Sequence, residues 1–431
     1  MPIPYVCTLI LLKKRLLFLV YAGTVRIIKL EQVWKDMIEY DQTALWPEVA
    51  ADEPVLRAER LTSLLKWAGG KEQELKYILP LIPSFDTYYE PFVGGGAVFF
   101  SIQSRKKFIN DRSPDLFNLY TMIAKQNLDF FQALDTLLLG WQCVSKIVDG
   151  CATHLLNIYK AYSMDEISLE EMRSSLLEFV RQHAVEFNTM FEAFFDKDIG
   201  NFIRELQRNL LNKTRRMKEI ENRKWKLPEQ DIIANIECAL KSGFYMHLRH
   251  LYNKIGEYGI PASQAAAIFF FVRENAYASM FRYNSKGEFN VPYGGLSYNR
   301  KDLARKVAYL QSSEVELHLR NTVIENMDFE AFLQKYPPQA EDFVFLDPPY
   351  DSEFSTYSQN EFGEEDQERL ANYLLKQCKA KFMLVIKNTP TILHLYGNAG
   401  LNIRKTFDKK YLVSFQDRNN RDAEHLIITN F

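Results

Sequence analysis

Two consecutive prolines directly behind an apolar tetrapeptide constrain this chain more than any other feature. Phe343-Val344-Phe345-Leu346 reads as a strand buried on both faces, the kind found in parallel sheets. Pro348 and Pro349 lack the backbone N–H that a strand ladder needs, so the strand has to stop at Asp347. That stop delivers a carboxylate, a rigid carbonyl-rich turn and the ring of Tyr350 to the C-terminal edge of the sheet. Open α/β sheets bind their ligands at that edge. A planar amine donor such as the N6 group of adenine matches the set. Asp347 and the Pro348 carbonyl can accept its two N–H bonds, while Tyr350 stacks on the ring. An isolated Asp-Pro-Pro would read as a loop with a capping aspartate, but here a second motif accompanies it.

That motif runs from Tyr88 to Phe100 and contains Glu90-Pro91-Phe92-Val93-Gly94-Gly95-Gly96. It reads as a strand over 88–93, a glycine turn, and a helix over 97–104, with another helix expected ahead of it over 72–81. Glycines let backbone approach a ligand closely and take up positive φ. The next strand, over 107–110, ends in Asp111, 17 residues after Gly94. An acid so placed takes ribose hydroxyls in dinucleotide folds. The third glycine of the Gly-x-Gly-x-x-Gly fingerprint is replaced by Phe99, and no phosphate-binding Gly-x-x-x-x-Gly-Lys-Ser/Thr is present. The expected ligand is therefore a nucleoside without a pyrophosphate, and S-adenosylmethionine fits.

With these residues in view, the chain resembles the D12 class of DNA adenine-N6 methyltransferases, the family that contains the Dam methylase. Four blocks carry the resemblance in family order: Leu65 to Lys71, Glu90 to Gly96, Phe281 to Gly294, and Asp347 to Tyr350. Together they cover roughly 61–123 and 236–431. The resemblance implies a flipped adenine methylated in line by S-adenosylmethionine. Asp347, Pro348, Pro349 and Tyr350 would form the catalytic motif. It further implies that Trp67, Lys71, Glu90, Phe92, Gly94, Gly95, Gly96, Asp111, Asp328, Phe329 and Asp347 contact the cofactor. Asp328 also reads as the N-cap of a helix beginning at Phe329.

For DNA, Arg282 matches a hairpin arginine that contacts guanine, as arginine does through O6 and N7. Lys66, Tyr277, Asn284 and Pro292 complete the expected contacts, with Lys66 reading a base, Tyr277 near the flipped position and Pro292 against a thymine methyl. Tyr283, Asn284 and Phe289 read equally as builders of the hairpin, since Asn-Ser-Lys-Gly is good turn chemistry. One departure matters: Ala278-Ser279 stands where the Dam branch has Asn-Gly. A cytosine-N4 methyltransferase, which more usually carries Ser-Pro-Pro, and a catalytically silent DNA-binding protein of the same fold are the alternatives.

The 431 residues exceed one ordinary domain. The reading is a Rossmann-like α/β fold with a doubly wound, mainly parallel sheet. It divides into an extension at 1–60, core at 61–127 and 301–431, a helical insertion at 128–235, and a recognition region at 236–300. The net charge of −2 gives no global basic signature, so duplex DNA must meet a local patch. The basic run from Lys213 to Lys218, with Arg223, Lys224 and Lys226, is interleaved with Glu219 and Glu221 and reads as a solvated helix face. The apolar stretch from Leu9 to Val20 is broken by Lys13-Lys14-Arg15 and is too short to span a bilayer. His247 and His250 lack a third ligand at sensible spacing, and the five cysteines are scattered, so no metal site is expected and the thiols read as reduced. A cytoplasmic monomer acting on double-stranded DNA, away from membranes, follows from these readings and the resemblance. A cognate restriction endonuclease would be its natural companion.

Overall fold

The computed structural model describes residues 16–21, 24–29, 61–67, 69–189, 195–299, 301–349, 362–410 and 422–431. The chain forms two compact units, residues 1–59 and 60–431. In the first, β1 (Leu16–Tyr21) pairs antiparallel with β2 (Thr24–Lys29), Tyr21 facing Thr24 and Leu16 facing Lys29. Their aromatic and β-branched content suits a pleated ribbon. The charged run at 13–15 lies outside the described residues.

The second unit is built on a seven-stranded sheet. Its strands are β3 (Thr87–Glu90), β4 (Lys106–Asn110), β5 (Thr322–Glu325), β6 (Phe343–Leu346), β7 (Lys381–Lys387), β8 (Asn402–Lys410) and β9 (Asp422–Thr429). Their spatial order is β5-β4-β3-β6-β7-β9-β8. The first five are mutually parallel, and β9 runs antiparallel to both β7 and β8. From β3 the chain steps outward through β4 to β5, then crosses to β6 on the other side. The switch point therefore lies between β3 and β6.

Strand alternation divides the core between the two faces of the sheet. Phe343 and Phe345 enter one apolar cluster, with Tyr88, Ile109, Met383 and Val385. Val344 and Leu346 enter the other, with Tyr89, Phe108, Phe382, Leu384 and Ile386. All four residues of β6 are buried, as a central parallel strand requires. The short helices Phe329–Lys335, Glu364–Lys376 and Pro390–Tyr396 supply the second cluster.

The first cluster continues into a helical body comprising Pro114–Ala124, Leu128–Gly150, Ala152–Ser163, Leu169–Gln182, Ile199–Arg223, Glu229–Asn253 and Ala262–Asn275. Every residue from Ala265 to Asn275 is buried, so this last helix is the axis of the body. The two 25-residue helices cross closely at Gly243, where a Cβ would sit 2.8 Å from Leu206 Cα. Among the described residues no helix is long and apolar enough to cross a membrane.

Three local expectations shift. β3 ends at Glu90 instead of 93, because Pro91 has no N–H for the ladder. The helix expected over 72–81 shrinks to Leu75–Ile78 followed by a 3₁₀ turn, Leu79–Leu81, that contains Pro80. The helix expected over 97–104 is only a 3₁₀ turn, Phe99–Ser101. Few residues separate Gly96 from β4, and they must retrace the strand length, which favours ~2.0 Å of rise per residue over the ~1.5 Å of an α-helix. His318, 2.9 Å from the Phe99 carbonyl through Nε2, closes that turn.

Candidate active site at the carboxyl edge of the sheet

Four parallel strands end along one edge, and each is followed at once by chemistry-bearing residues. β3 ends in Glu90, β4 in Asn110 and is followed by Asp111, β5 is followed by Asn326-Met327-Asp328, and β6 by Asp347. Asn110 fastens three of these ends. Its Nδ2 donates to the carbonyls of Pro91 and Met327, each at 3.0 Å, and its Oδ1 accepts from Met327 N. Nothing in the sequence marks this residue, because its Met327 partner lies 217 positions away.

Glu90 and Asp347 flank the switch point. Glu90 is buried and accepts from the Tyr88 hydroxyl at 2.7 Å. Burial pushes its carboxyl well above the usual range, and the charges of Asp347 and Asp111 add to that. Lys71, 2% exposed, places Nζ 2.5 Å from Asp347 Oδ2 and 2.8 Å from the Gly69 carbonyl. Pro348 is buried and Pro349 exposed, with the Pro349 carbonyl accepting from Gln367 Nε2 at 3.1 Å. Gln367 is fully buried, and only the fold reveals its role as a prop for the tetrapeptide. Tyr350 lies outside the described residues.

The glycine loop is shaped by its protein neighbours. Gly94 and Gly96 take φ of +50° and +81°. A Cβ on Gly94 would meet Trp67 Cδ1 at 2.8 Å, one on Gly95 the Leu65 carbonyl at 2.7 Å, and one on Gly96 the Tyr120 hydroxyl at 2.5 Å. Asp111 anchors the loop by accepting from Gly94 N and, through its other oxygen, from Ser113 N, each at 2.9 Å. Burial raises its carboxyl to about 6 despite these two bonds. Beside these strand ends Phe92, Phe329 and Phe362 form a ring trio with centroids 5.5–5.8 Å apart. Asp328 caps the helix Phe329–Lys335 through Glu330 N and pairs with Arg369, which also binds Glu330 and Asp366.

The recognition segment is a hairpin packed on the helical body. Asn284 N donates to Glu288 O and Asn290 N to Arg282 O, while Tyr283 bridges Phe289. The Asn284 side chain accepts from the backbone N–H of Lys286 and Glu288, so it builds the turn. Arg282 is exposed, with Nε on Asn290 Oδ1 at 2.7 Å and one terminal nitrogen on the Asn290 carbonyl. Tyr277 is 49% exposed, and Lys66 and Pro292 also face solvent. Trp67 links this segment to the glycine loop: its ring packs edge-on to Phe281 at 4.3 Å. Of the basic run, Arg216 pairs with Glu219, Lys218 with Asp165 and Lys226 with Glu221. His247 is buried beside Asn201, its imidazole pushed down to about 3 by desolvation.

Carboxylates, an aromatic trio and an Asp-Pro-Pro turn thus gather along the carboxyl edge of a doubly wound α/β sheet, the edge where such sheets bind ligands. A family model described as D12 class N6 adenine-specific DNA methyltransferase matches residues 67–239 and 151–409. The chain belongs to this family and is an adenine-specific DNA methyltransferase. It is 26% identical to the Type II methyltransferase M.CviBI of Paramecium bursaria Chlorella virus NC1A, over 85% of this chain and 99% of that relative. Against the Type II methyltransferase M.MjaIII of Methanocaldococcus jannaschii the identity is 27%, over 85% and 98% of the two chains. A DNA adenine methylase of Vibrio cholerae is 27% identical over 55% of this chain and 80% of its own.

Proposed function

We propose that the enzyme uses S-adenosylmethionine to methylate the N6 amine of an adenine flipped out of a short duplex target. The observation that carries this reading is Asp347 at the end of β6, flanking the switch point with Lys71 against its carboxylate. The donor set fits the cofactor: Asp111 suits ribose hydroxyls, the rings of Phe92 and Phe329 an adenine face, and Glu90 a cationic group. When bound, S-adenosylmethionine supplies an electrophilic methyl group.

The protein's part is to make a poor nucleophile attack. The adenine amine lone pair is delocalised into the ring. Accepting both N–H bonds, at Asp347 and the Pro348 carbonyl, favours a more pyramidal nitrogen whose lone pair is available. Positioning and fixed charge then supply the acceleration. Lys71 offsets the cost of holding Asp347 away from water. Tyr350 stacks on the flipped base, which cannot be reached inside the helix. Arg282 reads a guanine, Lys66, Tyr277 and Pro292 complete the DNA contacts, and Asn284 serves by shaping the turn that carries them.

We further place 128–235 as a helical insertion between core and recognition regions, with 1–60 as an accessory extension. A monomer acting in the cytoplasm, alone or beside a restriction endonuclease, completes the proposal. The test is incubation with S-adenosylmethionine and unmethylated duplex DNA, mapping the modified base by sequencing. N6-methyladenine at one short motif supports the reading. Turnover with another methyl donor but none with S-adenosylmethionine refutes the cofactor assignment, and methylation spread over all adenines refutes sequence-specific reading.

A further inference from the structure

The turn that leads into the recognition hairpin is strained, and one buried cation holds it. Ala278 and Ser279 both lie in the left-handed region, at φ of 52° and 53°. Non-glycine residues enter that region only against a steric clash of Cβ with the following carbonyl. Asn and Gly, which the Dam branch carries here, are the residues suited to it. This chain adopts the left-handed shape with residues that disfavour it, so their surroundings must impose it. Strain of this kind persists where the surroundings over-determine it, and it gathers at functional sites.

Arg273 supplies that constraint. It stands near the end of the central helix Ala262–Asn275 and is 2% exposed. One terminal nitrogen donates to the Met280 carbonyl at 2.7 Å and the other to the Ser279 carbonyl at 3.1 Å. The fork thus grips two successive carbonyls of the turn, a geometry that lysine cannot reproduce. The guanidinium carbon lies 3.2 Å from the Phe281 ring centroid and 5.6 Å from that of Trp67. Phe281 immediately precedes Arg282. Tyr277, on the other side of the turn, is held by its N–H on the Pro292 carbonyl at 2.9 Å. Trp67 in turn fills the space where Gly94 has no side chain. A contiguous set of contacts therefore runs from the glycine loop through Trp67, Phe281 and Arg273 to the backbone that presents Tyr277 and Arg282.

We propose that Arg273 is a positioning residue for target discrimination: by holding Ser279 and Met280 it aims Arg282 and Tyr277 at the DNA. This rests on the assignment of those two residues to DNA contact. It predicts that a lysine at 273 loosens the aim without touching the reaction centre. It also predicts that lowering the strain of the turn compensates, because the turn then keeps its shape with one tether fewer.

The experiment compares wild type, Arg273→Lys, Ser279→Gly and the double variant. It measures kcat and KM on cognate duplexes and on duplexes altered at one base, with S-adenosylmethionine affinity measured separately. Arg273→Lys is expected to lower the ratio of cognate to altered-site kcat/KM by about tenfold, within the range of one base-reading contact. The loss should lie in KM, with cofactor affinity unchanged, and Ser279→Gly in the same chain should restore most of it. Unchanged discrimination in Arg273→Lys overturns the proposal. So does a loss that Ser279→Gly leaves in place, since that is the mark of packing damage. An Arg282→Met control separates the two claims: if it leaves discrimination intact, the DNA-contact assignment is wrong and the proposal falls with it.

Discussion

Lys71 Nζ sits 2.5 Å from Asp347 Oδ2, joining residues 276 positions apart across the switch point of the sheet. The lysine side chain is 2% exposed and the aspartate 18%, so the pair is formed largely out of water. Removing one member of such a pair strands the other, which costs far more than the pair contributes. Lys71→Met should lower kcat by about 10²-fold, the cost of a misplacement of ~1 Å at a reacting group. Single-turnover methyl transfer measures it, and an unchanged rate would show that Lys71 does not set the position of Asp347.

Glu90 gives a proton-linkage prediction. Burial, with Asp347 and Asp111 nearby, holds its carboxyl well above the usual range and favours the protonated form. A cationic ligand beside it favours the carboxylate, so cofactor binding should release a proton. Titration calorimetry in buffers of different ionisation enthalpy reads that release. Well above about pH 6, where Asp111 is already ionised, Glu90→Gln should abolish it, and proton release unaltered in that variant would assign it elsewhere.

The proposed ribose contact of Asp111 implies a pH-dependent cofactor affinity. Its carboxyl is raised from the ordinary 3.8 to about 6. The folded state therefore holds the proton more tightly than the unfolded state. Its contribution to stability is full below about pH 4 and is lost as pH rises through about 6. Hydroxyl donors need the ionised form, so cofactor affinity should climb across that upper range. Asp111→Asn should bind more weakly and lose the component centred near pH 6. A climb that persists in the variant would remove Asp111 from the ribose contact.

Ser279 offers a stability test independent of catalysis. Its φ of 53° suits glycine, so Ser279→Gly should raise unfolding stability by about 0.5–1 kcal/mol, the relief of left-handed strain less the added chain entropy. Denaturant midpoints at constant slope measure it. A destabilised variant would mean that the serine side chain contributes more than its backbone costs.

What the sequence revealed was what the chain does locally. Pro348 marks where one strand must end, and Asp328 caps the helix that begins at Phe329 as its place suggests. The apolar lead-in to Asp347 is enough to place it at the carboxyl edge, where β6 ends. The missing parts are made by distance. Asn110 gains its meaning from Met327, Gln367 from Pro349, Arg369 from Asp328, and Arg273 from carbonyls whose conformation no residue type there encodes. The expected helix at 97–104 failed because a return connection fixed its length, a constraint set by the paired strand rather than by helix propensity.

The most direct test of the central claim is methyl transfer from S-adenosylmethionine to unmethylated duplex DNA by wild type and Asp347→Ala, with the modified nucleoside identified by mass spectrometry. The account predicts N6-methyladenine with the wild type and none with the variant at saturating S-adenosylmethionine, while both remain folded. Retained N6-methyladenine in Asp347→Ala, or 4-methylcytosine from the wild type, would contradict it.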